Sequence, residues 1–139
     1  MKVLTPYLFF NGNCREAMNF YKTCFGGQLE CKTYADAPKD SGIEAASPGA
    51  NKDSIMHACL QSGDLMLMAA DWAEAKPGNT IRLSIDGESR EQIETLFNAL
   101  SAQGKIDHPL KDTFWGAYFG MVTDQFGMQW MLNYADTYQ

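Results

Sequence analysis

Apolar and polar positions recur along this chain in an order that runs through twice. Val3–Phe10 is an apolar and aromatic run of strand character, stopped by Asn11-Gly12-Asn13. Ala17, Phe20, Tyr21, Cys24 and Phe25 then repeat at helical spacing and form one apolar stripe. Asn13 suits the helix N-cap, with Glu16 as the reciprocal partner of a capping box, and Gly26-Gly27 suits the C-terminal end. Gln28–Tyr34 reads as a second strand. Ser54–Gln61 and Leu65–Ala70 bracket Ser62-Gly63-Asp64, a hairpin signal. Between them, Asp36–Asp53 carries Pro38, Gly42, Pro48 and Gly49 without sustained periodicity. A connection of this length reads as a lid, a binding loop or a mobile segment, and it admits a short helical turn around Ile43–Ala46.

After a polar connection over Asp71–Gly78 the pattern restarts. Ile81–Ile85 is a strand, Asp86-Gly87-Glu88 a stop, and Ser89–Gln103 a helix carrying Ile93, Leu96, Phe97 and Leu100, ended by Gly104. Ile106–Leu110 and a hairpin within Trp115–Trp130 complete the set. Asn11-Gly12-Asn13-Cys14-Arg15-Glu16 lies over Asp86-Gly87-Glu88-Ser89-Arg90-Glu91 at an offset of 75 residues, and Gly63 over Gly127 at an offset of 64. Each half is therefore β-α-β-β-β, over about residues 1–72 and 79–135 of a single 1–139 domain. The fold class expected is α+β, a curved eight-stranded mixed sheet with two main helices outside and a concave side able to hold a ligand.

The strand period of two assigns faces. Ile81, Leu83 and Ile85 should pack under the second helix, leaving Thr80, Arg82 and Ser84 toward the cleft. By the repeat, Thr5, Tyr7 and Phe9 look cleftward and Leu8 and Phe10 helixward. In the last strand Gln129, Met131 and Asn133 share one face, Trp130 and Leu132 the other. Asp124-Gln125-Phe126-Gly127 fits a type I turn. Gly116 and Gly120, four apart, read as one strand face that serves either tight packing or a ligand wall.

Composition narrows the classes. With 45% hydrophobic and 20% charged residues the 139-residue chain is of ordinary globular make-up. A net charge of −6 argues against nucleic acid or an anionic membrane surface as partner. No apolar run is long enough to span a bilayer and the N-terminus carries no signal-peptide core, so the cytoplasm is the expected location. Cys14, Cys24, Cys31 and Cys59 have no Cys-x-x-Cys spacing and are expected to be reduced, mostly buried thiols.

Taken together, Tyr7-Leu8-Phe9-Phe10-Asn11-Gly12-Asn13, Ala17-Met18-Asn19-Phe20-Tyr21, Phe25-Gly26-Gly27, His57-Ala58-Cys59-Leu60, Gly63-Asp64, Trp115-Gly116 and Asp124–Trp130 resemble the vicinal oxygen chelate superfamily. That is the glyoxalase, bleomycin-resistance and dioxygenase group, and more narrowly the PhnB-like subfamily. Gln125 stands where the family turn usually has Pro. The resemblance implies the glyoxalase-like fold, a homodimer, and in many members a divalent metal held from the first, fourth, fifth and eighth strands. Those positions fall at about Thr5, Leu67 or Met68, Thr80 and Met131. None offers a carboxylate or imidazole, and thioethers suit soft Cu(I) rather than the harder family metals. No metal or other cofactor is expected.

What remains is a small-molecule site. Tyr7, Phe9, Trp115 and Gln129 would supply aromatic wall and polar contact. Arg82 interrupts an apolar strand, so it either pairs with an internal acid or awaits an anionic ligand group. His57 and Asp71 are the weak candidates for a general base, and His108, before Pro109 in a connection, is a weaker one. Two functions follow: a metal-independent binder of a small anionic or polar-aromatic molecule, or an enzyme of lyase, isomerase or transferase type working through His57 or Asp71 with a metal in a non-standard place or none.

Overall fold

A computed structural model of the chain describes residues 1–37 and 52–135. The expected turn at Ile43–Ala46 lies outside them. The chain forms two compact units, Met1–Lys76 and Pro77–Gln139, divided within the expected polar connection.

The first unit runs β1 (Tyr7–Phe10), α1 (Cys14–Phe25), β2 (Gln28–Thr33), β3 (Ile55–Ser62) and β4 (Leu65–Asp71), with a 3-10 turn over Tyr34–Asp36. The second runs β5 (Leu83–Asp86), α2 (Arg90–Ser101), β6 (Lys105–Asp112), β7 (Tyr118–Thr123) and β8 (Gln129–Tyr134). The eight strands hydrogen-bond as two four-stranded mixed sheets, β1-β4-β3-β2 and β5-β8-β7-β6. In each, the first strand runs parallel to the fourth and the other pairs are antiparallel. The βαβββ repeat is thus present in element order and in pairing order.

Alternation sorts the faces as the sequence pattern predicts. Leu8, Phe10, Ala58, Leu60, Leu67 and Ala69 are buried with Cys14, Ala17, Met18 and Tyr21 of α1. Val122, Trp130 and Leu132 are buried with Ile93, Phe97 and Leu100 of α2. Two boundaries differ from expectation. β1 and β5 begin only at Tyr7 and Leu83. Ile81 therefore stands outside the sheet and is 77% exposed rather than packed under α2. His108 and Pro109 lie inside β6 rather than in a connection. That strand tolerates proline because it is the sheet edge and its register shifts on both sides of His108.

The repeat is also less regular than the glycine offsets imply. Leu8 pairs with Ala69, which pairs with Ala58; their counterparts are Leu83, Trp130 and Val122. Eleven positions separate Ala58 from Ala69 but only eight separate Val122 from Trp130, so the second hairpin is three residues shorter. Gly63 and Gly127 correspond when counted from the third strand of each unit, not from the fourth.

The two glycines read as one strand face part company. Gly116, at φ +89, belongs to the turn before β7. Gly120 is in β7, and a Cβ there would lie 2.7 Å from Phe97 Cε2 of α2 and 3.0 Å from Leu110 Cδ2. At Gly120 the packing reading is the one the structure bears out.

Candidate functional site

In the first unit, the sheet face turned away from α1 carries the sequence-predicted aromatic residues. Register sets Tyr7 beside Met68, Met68 beside Cys59, and Cys59 beside Glu30. Tyr7 is 41% exposed and Phe9 47%. Tyr7 Oη lies 3.1 Å from His57 Nδ1, so the phenol donates whenever that nitrogen carries no proton. The Tyr7 and Phe9 ring centroids are 5.2 Å apart, Tyr7 and His57 5.8 Å, and Phe9 meets Trp72 edge-on at 5.9 Å. Burial pushes the Tyr7 phenol above its ordinary pKa, with Cys14 and Tyr34 adding to the shift. Beside this cluster, Gln28, Glu30, Cys59 and Gln61 line a shallow cavity of about 230 Å³. Nothing local in the sequence shows that Trp72 meets Phe9.

Asp71 is placed differently from a base at a cleft mouth. It is 6% exposed at the end of β4, and its two oxygens accept from the backbone N–H groups of Cys14 at 2.9 Å and Ile55 at 2.8 Å. It thereby takes up the first backbone donor of α1, while Asn13 makes no side-chain cap hydrogen bond. A carboxylate at a helix N-terminus satisfies a backbone donor and meets the positive end of the helix dipole. The neighbouring Cys14 thiol is pushed well above its usual pKa, first by burial and then by the Asp71 carboxylate. That thiol stays protonated and is a poor nucleophile.

In the second unit Arg82 has its acid. Its Nη2 donates to Asp107 Oδ2 at 3.0 Å, and its Nη1 reaches the carbonyls of Trp130 at 3.2 Å and Val122 at 3.3 Å. Thr123 donates its hydroxyl to the same Asp107 oxygen at 2.6 Å. Asp107 sits where β6 shifts register between Ile106 and His108, and this irregularity brings the carboxylate to Arg82. The Thr123 hydroxyl, then Arg82, hold the Asp107 carboxyl below the usual carboxylate range. Of the two roles the sequence left open for Arg82, the geometry supplies the internal acid.

Gln129 opens β8 opposite Thr123, on the face away from α2. Its Oε1 is buried and accepts no hydrogen bond from any described protein group. Trp115 is 61% exposed in the β6–β7 turn, edge-on to Phe114 at 5.0 Å. His108 packs against Phe119 at 5.4 Å, and its Nδ1 lies 2.8 Å from the Pro109 carbonyl. Tyr7, Phe9 and His57 thus form one cluster of the first unit, while Arg82, Trp115 and Gln129 belong to the second.

At the positions where the resemblance puts metal ligands, Met68 lies in β4 beside Tyr7 and Cys59, and Met131 in β8 beside Met121 and Ser84. Thr5 and Thr80 precede β1 and β5. Two hydroxyls and two thioethers do not fit a hard divalent cation. Among the described residues no three His, Cys, Asp or Glu side chains gather as a metal-holding group.

Paired βαβββ units, each a four-stranded mixed sheet under one helix, define the glyoxalase-like class of fold. The family model for the Glyoxalase/Bleomycin resistance protein/Dioxygenase superfamily matches residues 4–132, and the chain belongs to that superfamily. Protein YjdN of Escherichia coli is 34% identical over 137 residues, 94% of this chain and 93% of that protein. The crystal structure of PA1353 from Pseudomonas aeruginosa is 40% identical, with a TM-score of 0.81 over 97% of this chain and 98% of that one. The PhnB protein of Bacillus cereus follows at 26% identity and a TM-score of 0.73, over 97% and 100%. The narrower PhnB-like resemblance is therefore also met among solved structures.

Proposed function

We propose that this protein binds a small polar-aromatic molecule on the open face of its first unit, without the metal common in the superfamily. The observation that carries this reading is the exposed Tyr7–Phe9 pair, with Phe9 edge-on to Trp72 and Tyr7 hydrogen-bonded to His57. Aromatic walls with one placed polar pair are what small-molecule sites are made of. Of the anionic and polar-aromatic ligands the sequence admits, the second is favoured, because the Arg82 guanidinium is already engaged by Asp107 and two backbone carbonyls. The thioether and hydroxyl groups at Met68, Met131, Thr5 and Thr80 support the metal-independent part. Phenol, titrated by NMR at millimolar concentration, should shift the Tyr7 and His57 ring signals. Phe9→Ala should weaken that binding at least tenfold. Phenol binding unchanged in Phe9→Ala, or a stoichiometric divalent metal in the purified protein, would overturn the proposal.

The Tyr7–His57 hydrogen bond favours a second reading, in which His57 exchanges a proton with a bound substrate and Tyr7 fixes its tautomer. A product formed from a metabolite extract by the native protein but not by His57→Ala would establish it. Asp71 is not part of that reading, since both its oxygens hold backbone donors.

The same proposal includes a homodimer in the cytoplasm. Dimerisation is common in the superfamily. The location is supported by the absence of any disulfide among the four cysteines and of a described helix long and apolar enough to cross a membrane. Sedimentation should give twice the chain mass of 15.5 kDa.

A further inference from the structure

The Gln129 carbonyl oxygen is the only buried side-chain nitrogen or oxygen among the described residues that lacks a hydrogen-bond partner. Native interiors hold few such groups, and each calls for an explanation. Here the hydroxyl and the guanidinium nearest to it bond to other groups. Thr123, directly across the β7–β8 pair, spends its hydroxyl on Asp107 Oδ2. Arg82, one position before the Leu83–Trp130 pair and so alongside Gln129, spends Nη2 on Asp107 and Nη1 on the carbonyls of Val122 and Trp130. Asp107 draws two donors away from Gln129 and leaves an acceptor aimed at no protein group. Further along the same face lies an apolar pair: Met131, two along β8, is beside Met121.

We infer that Gln129 is the acceptor of a second ligand site, on the open face of the second unit, specific for a compound with an apolar body and one N–H or O–H donor. A donor-bearing ligand gains the full value of a hydrogen bond that the protein otherwise leaves unmade, whereas its methylated analogue leaves the acceptor buried and unpaired. A carboxylate ligand has no place here. It brings no donor for Gln129, and the Arg82 guanidinium is already bonded to Asp107 and two backbone carbonyls. The site uses no residue of the Tyr7–Phe9 face, so either can fail without the other.

The matched probes are indole and 1-methylindole, alike in body and differing in the single donor. The intact protein should show the Gln129 side-chain amide signals moving with indole, and 1-methylindole should bind about tenfold more weakly. Gln129→Met should reduce indole to the affinity of 1-methylindole. In the free protein the same substitution should raise Tm by about 3 °C, because it removes a buried acceptor without a donor. Gln129→Glu, which keeps an acceptor, should retain the preference for indole. Indole and 1-methylindole binding equally, no movement of the Gln129 amide with indole, or Gln129→Met lowering Tm would each overturn the inference. Phe9→Ala should leave the indole contact at Gln129 intact, which separates this site from the phenol site.

Discussion

The two units are built on one plan and each buries one carboxylate, yet they spend it on different tasks. Asp71 of the first unit joins elements remote in sequence, tying the start of α1 to the start of β3. Asp124 of the second unit acts locally. Its Oδ1 takes the backbone N–H groups of Phe126 and Met128, and its Oδ2 takes the indole N–H of the buried Trp130. The helices differ correspondingly, since α2 is capped by its own Ser89, which accepts from the Gln92 N–H at 3.0 Å. The open faces differ too. Tyr7 and Arg82 are counterparts in the repeat, but Tyr7 is presented to solvent while Arg82 is locked across its sheet end by Asp107 and two carbonyls. Duplication preserved the frame, and the polar side chains at matched positions then took separate roles. On these faces the first unit keeps Tyr7 and Phe9 on view, and the second uses Arg82 and Asp107 to fix strands.

This contrast can be broken in graded steps. Asp124→Ala leaves three donors unpaired, one on a side chain that is 1% exposed, and should cost about 4 kcal/mol by urea denaturation. Asp71→Ala strands two backbone donors and should cost about 3 kcal/mol, with amide exchange rising first at Cys14 and Ile55. Equal protection at both amides in native and variant would remove Asp71 from the cap. Gly120→Ala forces Phe97 or Leu110 to move and should cost about 2 kcal/mol, whereas alanine at Gly63 meets nothing nearby and bears only the strain of φ +58.

Acid provides a finer probe. Asp107 is held below the ordinary carboxylate range in the folded chain, so the unfolded chain takes up its proton first as pH falls. Its contribution to stability is complete above about pH 4, the unfolded value, and is lost as pH drops through the lower folded value. Asp107→Asn should flatten that acid limb, and an unchanged limb would mean that the Arg82 pair contributes nothing. The smallest effect belongs to Tyr7→Phe. It removes an exposed hydrogen bond and should change stability by less than about 1 kcal/mol while shifting the His57 ring signals.

Much of the frame was legible because it is written in local periods. The alternation in β8 placed Trp130 and Leu132 inside, and the Asp124–Gly127 turn closes by a 3.0 Å bond from the Gly127 N–H to the Asp124 carbonyl. What stayed hidden was long-range polar pairing. Asn13 and Glu16 spell a capping box, but Asn13 makes no cap bond, and the first backbone donor of α1, at Cys14, is met by Asp71, 57 residues away. Arg82 signalled that it needed a partner, yet that partner emerged from a register shift in β6 that no apolar pattern encodes. The Tyr7–His57 contact, too, spans 50 residues and depends on β4 lying between β1 and β3.

The remote cap on α1 also sets an order of events. Ser89 and Gln92 emerge from the ribosome together, so α2 can complete its first turn at once. The Cys14 N–H that begins α1 meets its acceptor only after Asp71 has been synthesised and β4 has found its place between β1 and β3. One helix closes on a short-range contact and the other on a contact of high sequence separation, which carries the entropy of a long loop. The N-terminal unit, first to be made, therefore completes the cap of its helix only with the last strand of its own repeat.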